Sequence, residues 1–458
     1  MKIIVSNNIR IQEPDRRIKD YAEENLVMEN PEYIRNQRLG YSNYKTSQYL
    51  VFYEINGNEL ILPFGCLTDL FAMYPIEIFE NRIVLGKHIP YKSNIKLFDY
   101  QEEVCNRAIL RKNGIIVMPA GSGKTQTALE IIARLKLKTL WITHTIDLLN
   151  QSYDRAKNNF KNIGLGKIAN GKIEIGTHIT FATVQTLKSI DLQEYADTWD
   201  CIIVDECHRV CGTPAKAGMF YKVINKLVAR YKYGLTATPY RNVKGTEKAM
   251  FSLLGKTIIE LDKDVIGDRI IPATIVKQYT DFYEIPDECL DIDGTIKYAT
   301  LTTALSEDEE RNNLILNLLD KCKNNYTLVL ADRVNQLYYL QKELGYGNVI
   351  DGKTRKDTRE KAIEEVRTGK QKVLFATYGL AKEGLDIPRL DRLILASPHR
   401  DKATVIQAVG RIERKFENKE KPICYDLVDP IKYFENMYKT RKSYYRKNNN
   451  EIVESEEY

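Results

Sequence analysis

From Ile115 onward the chain repeats one pattern: a short run of β-branched and aliphatic residues, then a longer polar stretch with helical spacing. That alternation predicts strands joined by crossover helices in a parallel sheet. The runs of a first series are Ile115–Met118, Thr139–Thr143, Ile179–Val184, Cys201–Val204 and Tyr233–Thr236. A second series comprises Thr327–Ala331, Asn348–Ile350, Lys372–Ala376, Arg392–Ala396 and Pro422–Leu427. Two α/β domains follow. The stretch between them, Leu261 to Glu310, carries Pro272, Pro286 and the acidic group Glu307 to Glu310, and reads as a hinge with the approach to the second domain. Residues 1–90 differ, being rich in Tyr and Asn, with period-2 alternation in Tyr49–Ile55 and an apolar run at Leu60–Pro63. They predict a small α+β accessory domain ahead of two α/β domains at 91–265 and 266–458.

Composition narrows the class. The chain has 458 residues, 43% hydrophobic and 10% aromatic, too apolar for a disordered chain and long enough for about three domains. A formal charge of +6 is too small to establish nucleic-acid binding by itself. No run approaches the roughly 18 apolar residues of a membrane span, and the amino terminus lacks a signal-peptide core. Eight cysteines without C-x-x-C spacing predict reduced thiols in a cytosolic compartment. Cys201, Cys207, His208 and Cys211 match no common zinc spacing. Lys439 to Lys447 mixes cations with tyrosines before the acidic end at Glu454 to Glu457, and reads either as a backbone-gripping segment or as a solvated tail.

Three segments carry chemistry. Met118-Pro119-Ala120-Gly121-Ser122-Gly123-Lys124-Thr125 lies between an apolar strand and a helical pattern, the context of a phosphate-binding loop. Its glycines let successive N–H groups face phosphates, Lys124 would reach the β and γ phosphates, and the Thr125 hydroxyl would hold Mg²⁺. Met118 stands where the strict pattern has Gly. Ile202-Ile203-Val204-Asp205-Glu206 is an apolar strand ending in two carboxylates, placed to give Asp205 to the metal and Glu206 to an attacking water. In the second series, Arg411 and Arg414 fall three apart and so share a face of a helix, if helical. Arginine suits phosphoryl transition-state charge. The alternative for that segment is an exposed salt-bridged helix with Glu413 beside Arg414.

The order of these segments resembles a superfamily 2 helicase of the DExH type, with Asp205-Glu206-Cys207-His208 as its D-E-x-H motif. Leu235-Thr236-Ala237-Thr238-Pro239 is similar to the motif that couples hydrolysis to movement, and the resemblance gives Thr236, Thr238 and His208 that coupling role, with a relay toward Gln407. Phe98 to Gln101 resembles the element before the phosphate loop, which implies an adenine contact for Gln101. Ala376-Thr377 with Glu383 to Pro388 is similar to a second-domain motif, implying a phosphate-backbone contact for Thr377 and a nucleotide-side role for Asp386. Thr143, His144, Thr183, Gln185 and Arg333 sit where the family's nucleic-acid motifs lie. The run from Thr236 to Arg241 looks like the DNA-directed branch, with XPB-like helicases, type III restriction translocases and phage UvsW-like enzymes. Asn30 to Tyr33 and Leu60 to Pro63 resemble the small domain preceding the motor in phage and XPB-like members. The nuclease of type III enzymes is not expected here, because Thr295 stands where Asp287, Asp293 and Lys297 would need an acid.

The resemblance thus implies two tandem RecA-like domains that cleave ATP with Mg²⁺. The catalytic set would be Lys124, Glu206, Gln407, Arg411 and Arg414. The partner would be forked or branched DNA gripped mainly through phosphates, with salt-sensitive, sequence-independent binding. The rivals are an RNA helicase, a double-strand translocase that separates no strands, and an inactive nucleic-acid scaffold. A cytoplasmic protein, in the host cytoplasm if phage-encoded, compatible with a monomer, completes the expectation.

Overall fold

The computed structural model describes residues 1–119, 121–237, 247–262, 264–265, 267, 270–382, 385 and 387–455, without the side chains of Ala381, Lys382, Lys402 and Ala403. The chain divides into two compact units, Met1–Pro119 with Gly123–Asp262, and Ala120–Ser122 with Lys263–Tyr458.

In the first unit an eight-stranded sheet runs in the order Lys172–Ile173, Leu165–Ala169, Ile179–Thr183, Thr139–Thr143, Cys201–Asp205, Tyr231–Thr236, Asn113–Val117, Thr257–Glu260. All neighbours are parallel except the first pair. Its central strands are buried along their whole length, as a sheet covered on both faces demands. The register aligns their ends: Thr143 faces Thr183, Asp205 faces Leu235, and Thr236 faces Val117. Residues far apart in the chain therefore emerge along one carboxyl edge. All five strands of the first series are present. Leu165–Ala169 and Thr257–Glu260 escape the sequence pattern because they lie toward the sheet's margins and are only partly buried.

The accessory region belongs to this unit. Its sheet orders Glu54–Asn56, Glu59–Pro63, Asn8–Gln12, Lys2–Val5 and Phe79–Asn81. The helix Arg16–Leu26 buries Ile18, Ala22 and Leu26, spaced by four, against the core of Ile3, Ile9, Ile11, Leu62 and Phe64. The expected single run Tyr49–Ile55 is split: Tyr49–Val51 pairs with Val27–Glu29, and Glu54–Asn56 pairs with Glu59–Pro63. Phe52, buried at the break, sets the division. Asn7 Nδ2 donates to Asn225 O at 2.6 Å, and Lys256 pairs with Asp69 at 2.7 Å, tying this region to the parallel sheet.

The second unit has an all-parallel sheet in the order Asn348–Ile350, Val373–Thr377, Thr327–Ala331, Arg392–Leu395, Ile423–Val428, Thr274–Tyr279, Ile452–Glu454. The hinge reading of Leu261 to Glu310 is corrected here. That stretch contains the strand Thr274–Tyr279, one from the sheet's margin, and the helix Tyr298–Glu307. Its buried run is three residues long, Thr274 finds its partner only at Ile423, and no local spacing announces that pairing. The acidic group marks a helix start: Asp308 Oδ1 accepts from Arg311 N–H at 2.8 Å.

The solvated-tail reading of Lys439 to Lys447 fails, and Arg441 and Tyr445 are taken up inside the fold. The segment ends the helix Lys432–Lys447, which buries Phe434, Met437, Tyr438, Arg441 and Tyr445 at helical spacing. Two bonds of 2.8 Å join Arg441 to Asp426, and the Tyr445 hydroxyl donates to the same carboxylate at 2.7 Å. Among the described residues no disulfide and no metal-ligating cluster of His, Cys, Asp or Glu occurs, and no helix is long and apolar enough to cross a membrane.

Candidate active site

The loop after Asn113–Val117 turns at Gly121 and Gly123, with φ of 82° and 80°, and runs into the helix Lys124–Leu135. Gly123 is fixed twice over. Its left-handed backbone excludes most side chains, and a Cβ there would lie 2.5 Å from Gln101 Nε2. Gln101 itself is 1% exposed and accepts from Phe98 N–H at 3.1 Å, so its carbonyl oxygen caps its own helix. Lys124 Nζ donates to Met118 O at 3.2 Å and Pro119 O at 3.3 Å, the ammonium folding back over the loop it would share with phosphates. Ser122 is buried and Thr125 half-buried, while Ala120 lies outside the described residues.

Asp205 closes its strand as a buried residue, one Oδ1 accepting from Glu206 N–H at 3.0 Å. Glu206 follows in the left-handed region, φ 50° and ψ 48°. For a residue with a Cβ this costs of order 1–3 kcal/mol, a strain that gathers at functional sites. The turn aims its carboxylate at His208, whose Nδ1 lies 3.2 Å from Glu206 Oε2 and 3.1 Å from Thr236 Oγ. One ring nitrogen cannot donate to Glu206 and accept from Thr236 at once, so the imidazole links these groups as alternatives. Beyond that contact Glu206 Oε2 is buried with no hydrogen-bond partner among the described residues. Burial and the adjacent Glu206 push Asp205 above the usual carboxylate range, against the pull of Lys124. Burial also works to raise Glu206, but the His208 hydrogen bond, with the charges of His208, Lys124 and Arg209, outweighs it and holds the group low. The two adjacent carboxylates are thus pushed in opposite directions, Asp205 up and Glu206 down.

A residue outside every motif joins them. Arg155, on the helix Ile146–Asn159, donates from Nη1 to Thr125 Oγ at 3.0 Å, and its charge bears on Asp205. Helical spacing alone gave no sign of it. A hydroxyl and a carboxylate, both hard oxygen donors, fit Mg²⁺, which would displace Arg155 from the hydroxyl.

Along the same edge, Gln185 Nε2 donates to His144 O at 2.8 Å, leaving an exposed amide and a half-buried imidazole. Burial, then Arg209 and His208, lowers the His144 pKa. Thr143 is fully buried, its hydroxyl turned inward to Thr145 O at 3.1 Å, and Thr183 Oγ meets Thr186 Oγ at 3.0 Å. Both hydroxyls are thus buried and engaged within the protein.

In the second unit the helix Lys402–Ile412 carries Gln407, half-buried, and Arg411, whose Nη1 donates to Leu385 O at 2.8 Å. The shared helical face is overturned. The helix stops at Ile412, and Arg414 lies in an extended bridge with Ile270. Nor does Glu413 support a surface salt bridge, being 1% exposed and accepting from Asn450 Nδ2 at 2.7 Å. Arg333 binds the helix Tyr298–Glu307 through Thr303 Oγ at 3.0 Å and Ala299 O at 2.6 Å, so any phosphate would compete with those acceptors. Thr377 ends its strand opposite Ala331, half-buried. Thr238 and Asp386 lie outside the described residues.

A glycine-turn phosphate loop on one parallel sheet, a carboxylate pair two strands away and a second parallel sheet define a P-loop nucleoside triphosphatase of RecA-like architecture. Residues 94–241 match the family model described as type III restriction enzyme, res subunit, and residues 310–415 match the helicase conserved C-terminal domain. The chain is 27% identical to the DNA 3'-5' translocase XPB2 of Sulfurisphaera tokodaii over 78% of this chain and 88% of that protein. It is also 27% identical, over 91% of this chain and 78% of the other, to an Acanthamoeba polyphaga mimivirus protein whose name makes it an RNA helicase. Among solved structures, an HsdR-type fragment of a type I restriction enzyme from Vibrio vulnificus superposes with a TM-score of 0.58 at 18% identity, covering 79% of this chain and 69% of that one. The chain belongs to the superfamily 2 helicases and is an ATP-hydrolysing helicase.

Proposed function

We propose that this protein is a DNA motor that remodels forked or branched DNA at the expense of ATP and Mg²⁺. The observation that carries the reading is Glu206, held in a strained turn, its buried Oε2 contacted only by His208 among the described residues and joined through it to Thr236. An ionised, under-bonded carboxylate is what polarising a water for in-line attack on a γ-phosphate requires. Lys124 would hold the β and γ phosphates, and Thr125 and Asp205 would hold the Mg²⁺ whose charge offsets that developing on the phosphoryl oxygens. Loss of the γ-phosphate would free Glu206 to bind His208 more tightly and release Thr236, passing the change to the segment after it. Arg411 is proposed to stabilise the phosphoryl transition state, with Gln407 on the relay; Arg414, off that helix, has the lesser share. His144 and Gln185 are the proposed phosphate contacts of the first unit, with Thr377 in the second.

DNA is favoured by the name of the Sulfurisphaera relative and by the likeness of Thr236 to Arg241 to the DNA-directed branch. The branched substrate follows from the resemblance to phage recombination helicases. ATPase stimulation by matched DNA and RNA single strands, duplexes, forks and four-way junctions tests it. Forks and junctions should stimulate most; stimulation by RNA alone would overturn the reading in favour of the activity named for the mimivirus relative. A chain with DNA binding but no hydrolysis would be the scaffold instead.

A further inference from the structure

Nucleotide chemistry makes no use of the segment from Val27 to Val51. Here the strand Val27–Glu29, the helix Pro31–Arg38 and the strand Tyr49–Val51 enclose a loop built on asparagines. Asn30 Nδ2 donates to Ser47 O at 2.8 Å, Asn36 Nδ2 to Asn43 Oδ1 at 3.1 Å, and Asn43 Nδ2 to Tyr33 O at 3.1 Å. Tyr41 N–H closes the turn on Asn36 O at 2.8 Å. The loop is therefore well tied, yet it holds its rings in water: Tyr41 is 62% exposed, Tyr44 92% and Tyr49 49%. The same segment carries Arg35, Arg38 and Lys45, all exposed and forming no ion pair among the described residues. Glu29 and Glu32 are the only acids between residues 27 and 51.

Protein interfaces also favour Tyr and Arg, but set them around an apolar core depleted of Lys. This surface instead interleaves single aromatic rings with cations and amides, the combination that stacks bases while gripping a phosphate backbone. We propose that the Tyr41, Tyr44 and Tyr49 surface, with Arg35, Arg38 and Lys45, is a docking site for single-stranded DNA outside the motor's own strand contacts. The choice of DNA rests on the motor reading above; the stacking chemistry does not. It gives the motor a second hold on a displaced strand.

The test uses the full chain without nucleotide and follows anisotropy of a labelled oligo-dT, an abasic oligonucleotide of equal length, an oligo-rU and a blunt duplex. Tyr41→Ala/Tyr44→Ala should bind oligo-dT at least roughly 10-fold more weakly and the abasic strand as wild type does, because only bases can stack. Arg38→Ala/Lys45→Ala should flatten the slope of log affinity against log salt by about 1.4, two phosphate contacts' worth. Unchanged oligo-dT binding by a tyrosine variant with wild-type melting temperature would overturn the proposal and leave the patch to a protein partner. Tighter binding of rU, lost in the same variant, would overturn the assignment to DNA. The motor reading fails separately, if wild-type ATPase ignores DNA while the tyrosine variant still loses oligo-dT.

Discussion

Glu206 and Asp426 both lie at or just past the carboxyl half of a buried parallel strand, one in each unit, and they meet opposite surroundings. Asp426 receives two donors from Arg441 and a third from Tyr445, so its charge is fully answered. Glu206 has His208 at 3.2 Å, no further partner for that oxygen among the described residues, and a strained backbone. Arg311 pairs with Asp429 at 2.8 Å, both almost wholly buried, although Arg311 Nη2 and Asp429 Oδ2 have no hydrogen-bond partner among the described residues. Burial of a charge is therefore no mark of a site by itself. At Glu206 the open valence coincides with a strained turn and with the charge of the phosphate-loop Lys124, where a water or phosphate can enter.

The largest effect expected is at the phosphate loop. Lys124→Ala should abolish ATP hydrolysis, read as phosphate release, and retained turnover would remove the loop from the catalytic set. Next, Arg411→Ala should cut turnover by about 10³-fold with nucleotide binding nearly intact, the scale of arginine fingers. Arg414→Ala should do less, and the reverse order would restore the helical pair that the structure splits. The comparison itself is broken or sharpened by Glu206→Gln against Arg441→Ala. The first should lower turnover by about 10²–10⁴ and leave the melting temperature level. The second should cost about 3–5 kcal/mol by orphaning the buried Asp426, visible as a fall in denaturant midpoint. If both lose stability alike, the distinction between open and closed charges fails.

The smallest effect concerns a lysine in the first unit. Lys232 is fully buried, donating to Leu227 O at 3.0 Å with Phe64 beneath it at 4.2 Å, and burial lowers its pKa to about 7. Unfolded, it would keep its proton up to its ordinary value of 10.5. Between those limits the unfolded chain binds the extra proton, so this group makes stability rise with pH from about 7 toward 10.5. Lys232→Met should flatten that part of the curve in melts across the range, and an unchanged slope would assign it elsewhere.

Much of the fold was legible because strands buried on both faces are written as apolar runs. Thr139–Thr143, Thr327–Ala331 and Asn348–Ile350 agree with the sequence reading at both ends. The strand, glycine turn and helix around Lys124 were legible for the same local reason. Thr274–Tyr279 was not, since its short run is stabilised by partners about 150 residues further along the chain. Nor was Arg155, whose relation to Thr125 depends on two helices packing side by side. Thr143 shows the same limit in reverse: its place at the edge was readable, but the inward turn of its hydroxyl depends on Thr145 and Ala182.

What this sequence determined unaided is what neighbouring residues decide among themselves: strand against helix, the left-handed glycine turn, and two carboxylates at a strand's end. Steric limits and hydrogen bonds within a few residues suffice for those. Which buried charges are answered and which stay open was decided only by the packed structure. Arg441 reaches Asp426 from a separate helix, and Thr236 reaches His208 from a neighbouring strand. In a low-dielectric interior such contacts, rather than residue type, set whether a carboxylate is a structural pin or a reactive group.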